Sequence, residues 1–344
     1  MIRNPRVWLG ALVVAGLLPA LPARAQEKLA AGAEAVKYLP NDTEVLFTVN
    51  IRQMLDSALV KKNDGVDKIR ALLKGNQEVN QILTSLEFDP LKDVATLTVA
   101  GPGGTDPEKG LLILNGKFNL AKFQKKAEEV AKDHGDILKI TPQGKYKVWE
   151  LTPPNLPPNI NKINVVLVNP TTMLAATGDD SLKEALAKVD GKKKTELKKE
   201  VTTLLEGTDP KQSMYFLALG SALAKGDFPN AEMVKPILEQ LKTISVGVTL
   251  TDDIKAQVGI GTKDVASANK LRQGIERGLL AAPALFALAA MNNEQVAPFV
   301  DIFKDIVKTI KTTRKGTMVT IKGEVSKEMI DKIEKAAKMA QGGQ

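Results

Sequence analysis

A chain of 344 residues with one histidine and no cysteine has no disulfide, no cysteine nucleophile and no His/Cys zinc centre. Its 48 basic residues against 40 acidic ones leave a net charge of +8, and two Trp, three Tyr and nine Phe make stacking platforms scarce. Nucleic acid is therefore not an expected partner.

The first 25 residues read as an export signal. Arg3 and Arg6 precede an uncharged apolar run at residues 7–18, and Pro19 and Pro22 break it ahead of Ala23-Arg24-Ala25. Cleavage is expected between Ala25 and Gln26, because the run is short for a membrane span of about 20 residues. Loss of Arg3, Arg6 and Arg24 takes the basic count from 48 to 45 and the net charge to +5. An exported, periplasmic or extracellular chain of this length without disulfides must rely on its apolar core.

The expected elements follow in order. Residues 43–50 alternate Val45, Phe47 and Val49 as a strand after the turn at Pro40-Asn41-Asp42. Helices are expected at 51–61, 66–73 and 77–86, then a strand at 94–100 and a Gly/Pro-rich loop at 101–110. Residues 111–114 are a strand, Gly116 breaks it, and Asn119 caps a helix with Leu120, Phe123, Ala127, Val130 and Ala131 on one side. Hairpins follow at 137–151 and 163–177, separated by a Pro-rich segment at 152–158. Ser181 should cap a helix with Leu182, Ala185, Leu186 and Val189 inward.

Much of this recurs. Val258 and Ile260 lie in a strand, Gly261 breaks it, and Asp264 caps a helix with Val265, Ala268, Leu271, Ile275 and Leu279 on one side. Gly116 and Gly261 each stand three residues before a cap, 145 positions apart. The expected fold is α+β: two related copies of antiparallel hairpins packed with helices, at 26–190 and 211–340, joined by a Lys-rich helical linker at 191–210. Gly144 and Gly316 each centre a hairpin but lie 172 positions apart. Matching them puts 27 extra residues in the second copy, an apolar helical insertion near 278–304.

The insertion holds the oddest stretch. Residues 279–291 carry no charge and include Pro283, a kink or restart point. A helix buried between the copies is the expectation. The functional alternative is an apolar surface for lipid or another apolar ligand, formed by Leu285, Phe286 and Leu288. Residues 296–310, with Val296, Phe299, Val300, Phe303, Ile306, Val307 and Ile310 inward, would cover it. No transmembrane span is expected once the signal is removed.

Catalytic patterns are missing. The sole histidine, His134, falls just past a helix end, where it complements the dipole. There is no G-x-S-x-G elbow, P-loop, G-x-G-x-x-G or EF-hand loop. Asp179-Asp180 and Asp252-Asp253 are paired acids at turn or helix-start positions, where Asp accepts backbone N–H groups. No catalytic residue, metal site or cofactor is assigned. The lysines at 192–194, 198 and 199 read as a solvated linker face, and Asn41-Asp42-Thr43 is a chance-level glycosylation sequon.

Leu39-Pro40-Asn41-Asp42-Thr43, Phe88-Asp89-Pro90-Leu91-Lys92-Asp93 and Ala100-Gly101-Pro102-Gly103-Gly104 resemble a group of exported bacterial proteins of unknown function. The likeness covers mainly the first copy. It implies a duplicated α+β fold outside the cytoplasm and carries no catalytic residues. The function expected is a non-catalytic envelope or extracellular binding or scaffold module, its partner a protein, lipid or envelope polymer. The alternatives are a carrier for lipid or another apolar ligand, and a hydrolase using paired carboxylates.

Overall fold

The computed structural model describes residues 33–75, 80, 83–104, 106–152, 160–226, 238, 240–291 and 295–342. The signal stretch 1–25 with Ala25 and Gln26, residues 153–158 of the Pro-rich segment, and part of the helix expected at 77–86 lie outside them.

The fold is α+β. In chain order the strands are β1 (Val45–Asn50), β2 (Val94–Gly101), β3 (Leu111–Gly116), β4 (Leu138–Gln143), β5 (Tyr146–Leu151), β6 (Ile163–Asn169), β7 (Thr172–Ala176), β8 (Met214–Leu219), β9 (Leu241–Leu250), β10 (Ile254–Thr262), β11 (Lys311–Lys315) and β12 (Met318–Val325). The helices are α1 (Ala33–Val36), α2 (Ile51–Asp56), α3 (Ala58–Lys62), α4 (Gly65–Gly75), α5 (Pro90–Asp93), α6 (Leu120–Asp133), α7 (Asp179–Val189), α8 (Lys199–Glu206), α9 (Gly220–Ala224), α10 (Val265–Met291), α11 (Val300–Thr309) and α12 (Lys327–Gly342). Among the described residues, the strands all join one 12-stranded sheet in the order β11-β12-β10-β9-β8-β1-β2-β3-β7-β6-β5-β4.

At its centre β1 pairs antiparallel with β8, Phe47 opposite Phe216, so the sheet runs unbroken across the expected linker. Helix α8 in that stretch buries Val201 and Leu204 against the sheet instead of standing in solvent. The lysines around it are partly consumed: Lys198 and Lys225 both pair with Glu44 at the start of β1, a carboxylate nearly closed off from solvent.

Outward from β1 and β8 the strand order is the same on both sides. Ile113 of β3 faces Leu174 of β7, and Val258 of β10 faces Ile321 of β12. The first members of these pairs differ by 145 positions and the second by 147. By position, then, β11–β12 corresponds to β6–β7. This corrects the match of Gly144 with Gly316 and the 27-residue excess drawn from it. Both glycines sit at φ +60, so they report the same tight turn and not the same place in the sheet. Hairpin β4–β5 lies outermost, beyond β6. The second half has the end of α10 and α11 in that part of the chain.

Alternation decides the layers. In the first half both faces are apolar; both are covered over β3 to β7, while Phe47 of β1 and Val99 of β2 stay partly exposed. Leu112, Leu114, Trp149, Val165 and Met173 pack with α2 and α6 on one side, and Leu111, Ile113, Val166 and Leu174 with α1, α7 and α8 on the other. In the second half only one face is apolar, with Ile244, Val246, Val248, Val258, Ile260 and Ile321. The other carries Thr243, Ser245, Gly247, Gln257, Gly259 and Thr320. Helices α10 and α11 pack on this half, yet the apolar residues of β9, β10 and β12 stay partly exposed, Val319 excepted. Among the described residues, none of the buried apolar clusters extends beyond Ala222.

Local signals placed most elements. Asn119 accepts from Lys122 N–H at 3.1 Å and Asp264 from Ser267 N–H at 2.7 Å, so the expected caps start α6 and α10. Strands β3 and β10 run on through Gly116 and Gly261 instead of breaking there. A Cβ at Gly116 would collide with the Asp93 carbonyl, so the glycine permits a close backbone approach. The helix expected at 51–61 divides at Ser57, whose side chain caps α3. Helix α7 begins at Asp179 after Gly178, not at Ser181, and the Asp179 side chain is turned to Lys162 and Asn164 instead of its own helix end.

Candidate functional site

Helix α10 is 27 residues long, and Asp264 starts it where β10 ends. At 1.5 Å per residue it extends about 40 Å, against about 30 Å for the nine-residue β10. It packs on β10, β12, β11 and α11. Ala268 and Ala290 are its buried contacts. The helix continues through Pro283, so the proline does not end it.

The expectation that residues 279–291 are buried between two copies is corrected. Leu280 is 83% exposed, Leu285 65%, Leu288 61% and Met291 81%. By length and composition α10 could cross a membrane, and only 6% of its most apolar window is buried. The charge-free stretch supplies no polar face to turn outward, and α11 covers one side only. Phe286 is on that side, its ring stacked on Phe303 at 4.3 Å between centroids. Of the three residues expected at an apolar surface, Leu285 and Leu288 face outward and Phe286 anchors the helix pair.

Lys270, Gln273, Arg277, Leu280, Ala284, Leu288 and Met291 are all exposed and follow one another at intervals of three and four residues. They form a single outward stripe, polar and basic over its first half and apolar over its second. Sequence reasoning picked out the apolar residues and missed the stripe, which was already present in the spacing. A stripe with that spacing normally faces a core; only the packing shows this one facing out.

A second feature is polar. A cavity of about 590 Å³ at the start of α7 is lined by Asp42, Asp106, Glu108, Asp179, Asp180 and Glu184, with Lys109, Lys162 and Lys183. This gathers one expected acid pair, Asp179-Asp180, with other carboxylates. Asp179 pairs with Lys162 at 2.9 Å, and that lysine lowers its pKa. Burial would raise the Glu184 pKa, but Lys188, Lys193 and the Asn41 N–H outweigh it and bring it down to about 2. A general acid at neutral pH needs a shift the other way. Of the other pair, Asp253 accepts from Lys327 N–H at 2.9 Å and closes the turn from Thr251. His134 is the C-cap residue of α6. No group of three or more His, Asp or Glu suited to a metal occurs among the described residues.

No family model matches the chain, and no curated protein matches it. A solved structure, titled "Structure of crystal form IV of TP0453", is similar over 90% of this chain and 98% of its own, at 11% identity and a TM-score of 0.44.

Proposed function

We propose that this chain is an exported, non-catalytic binding module whose working surface is the outward face of α10, and that this surface docks on lipid. The observation that supports it is the exposure of Leu280, Leu285, Leu288 and Met291 on one charge-free helix end. Each such side chain gains about 2 kcal/mol on leaving water, and contiguous apolar patches on soluble proteins mark contact surfaces. The apolar residues stand on the outward side of one helix, which suits a bilayer interface better than an enclosed ligand. Export rests on the sequence pattern at residues 1–25. The test is flotation of the mature protein with phosphatidylcholine vesicles. Wild type is expected in the lipid fraction and Leu280→Ser/Leu288→Ser in the soluble fraction, both with unchanged circular dichroism. Wild type that stays soluble with these and with anionic vesicles alike sinks the proposal.

Carriage of a single apolar ligand is the second reading. It is favoured by the partly open row on the sheet, where Phe47 is 37% and Val99 42% exposed beside Phe216. Native mass spectrometry of gently purified protein would detect a retained lipid, and an empty protein counts against carriage.

A further inference from the structure

The outward stripe of α10 changes character along its length, and that change gives the lipid a charge and the helix a direction. Its first half presents Lys270, Gln273 and Arg277, and its second half Leu280, Ala284, Leu288 and Met291. No acid stands on the stripe. Of the nearby carboxylates, Glu276 pairs with Arg272 at 2.6 Å, and Asp264, which caps α10 through Ser267 N–H, acts on Lys270 only from beyond ion-pair distance. On the neighbouring α11, Asp301 pairs with Lys304 and Asp305 with Lys308, so those charges cancel locally. Neither Lys270 nor Arg277 has an ion-pair partner within 4.0 Å among the described residues. Arg277 lies three residues before Leu280, one helical turn, or about 5 Å, from the apolar half.

Resting on the lipid-docking reading above, we infer that α10 meets an anionic lipid surface obliquely, its C-terminal end leading. Its last turns, Leu280 to Met291, enter the acyl region, while Arg277 and Lys270 hold acidic headgroups. The apolar half cannot be satisfied by headgroups, and the cations cannot follow it inward. An oblique entry with the helix C-terminus leading places both in their preferred layers. Each cation near an anionic surface is worth about a fivefold gain in affinity, so the pair is worth about thirtyfold, and the gain is screened by salt.

The test compares vesicles of phosphatidylcholine alone with vesicles containing phosphatidylglycerol, using the mature full chain at low and high salt. Wild type should bind the anionic vesicles about thirtyfold more tightly at low salt, and the gap should close at high salt. Lys270→Gln/Arg277→Gln should bind both vesicles alike, at the wild-type level for the neutral ones. A tryptophan at Leu288 should shift its emission to the blue on binding, and one at Gln273 should not. Equal wild-type binding to both vesicles, or a preference that survives in the double glutamine variant, overturns this inference and leaves the lipid-docking reading standing. Binding to neither vesicle overturns both. So does sedimentation showing a dimer that Leu280→Ser/Leu288→Ser dissolves with no vesicle binding, because the surface then belongs to a second copy of the chain.

Discussion

At the scale of single residues, the most demanding site is Lys188. Its side chain is only 2% exposed, and it donates to Glu184 at 2.8 Å, to Asn41 Oδ1 at 2.7 Å and to the Leu39 carbonyl. Glu184 also pairs with Lys193 and accepts from Asn41 N–H. Removing the carboxylate leaves a buried cation short of its counter-charge. Glu184→Gln is therefore expected to cost on the order of 3 kcal/mol, read from urea denaturation. The same contact sets an acid dependence. The folded-state pKa of Glu184 is about 2 against an ordinary 4.5. Its contribution is thus full above pH 4.5 and is lost as pH falls through that window towards 2. Wild type should lose stability there faster than Glu184→Gln, and parallel losses would contradict this. Only the i,i+4 spacing of Glu184 and Lys188 on α7 was legible in the sequence. Leu39, Asn41 and Lys188 are joined across some 150 positions, and no local spacing encodes such a contact.

At the scale of elements, caps were legible and burial was not. Asn119 and Asp264 were each recognisable as caps because the side chain and the N–H it accepts lie three residues apart. Asp264→Ala should lower the midpoint of thermal or urea unfolding, since it frees the first turn of α10. Leu280→Ser/Leu288→Ser should change stability by less than about 0.5 kcal/mol per site, because neither side chain leaves water on folding. A loss several times larger would mean that the face is covered. The expectation of a buried α10 failed for a specific reason. An apolar run tells of a preference for leaving water, and it does not say whether the chain or another body supplies the cover.

At the scale of the whole molecule, the sheet is shared but the core is not. The buried clusters draw on β1 to β8 and the helices around them, and they stop at Ala222. Strands β9, β10 and β12 have one polar, glycine-rich face and one partly open apolar face. Opening free energy follows buried apolar contact. Amide hydrogens of β10 and β12 should therefore exchange faster than those of β2 and β3, measured by hydrogen–deuterium exchange with mass spectrometry. Equal protection would place an unseen share of the core in the second half. Vesicles that engage α10 should slow exchange in α10 and α11 and leave β2 and β3 unchanged.

Local residue patterns were enough to set the period of most elements and the capped starts of α6 and α10. Alternation at Val45, Phe47 and Val49, the three-and-four spacing after Asn119 and Asp264, and the turn glycines Gly144 and Gly316 are local properties, fixed by backbone geometry within a few residues. The composition also sets the chemistry that is missing, because one histidine and no cysteine close several routes outright. Long-range packing alone selects which hairpin stands beside which strand, joins the halves into one sheet through β1 and β8, and turns the apolar end of α10 outward. These outcomes depend on pairings between distant residues, where many partners satisfy the same local pattern and only simultaneous packing selects among them.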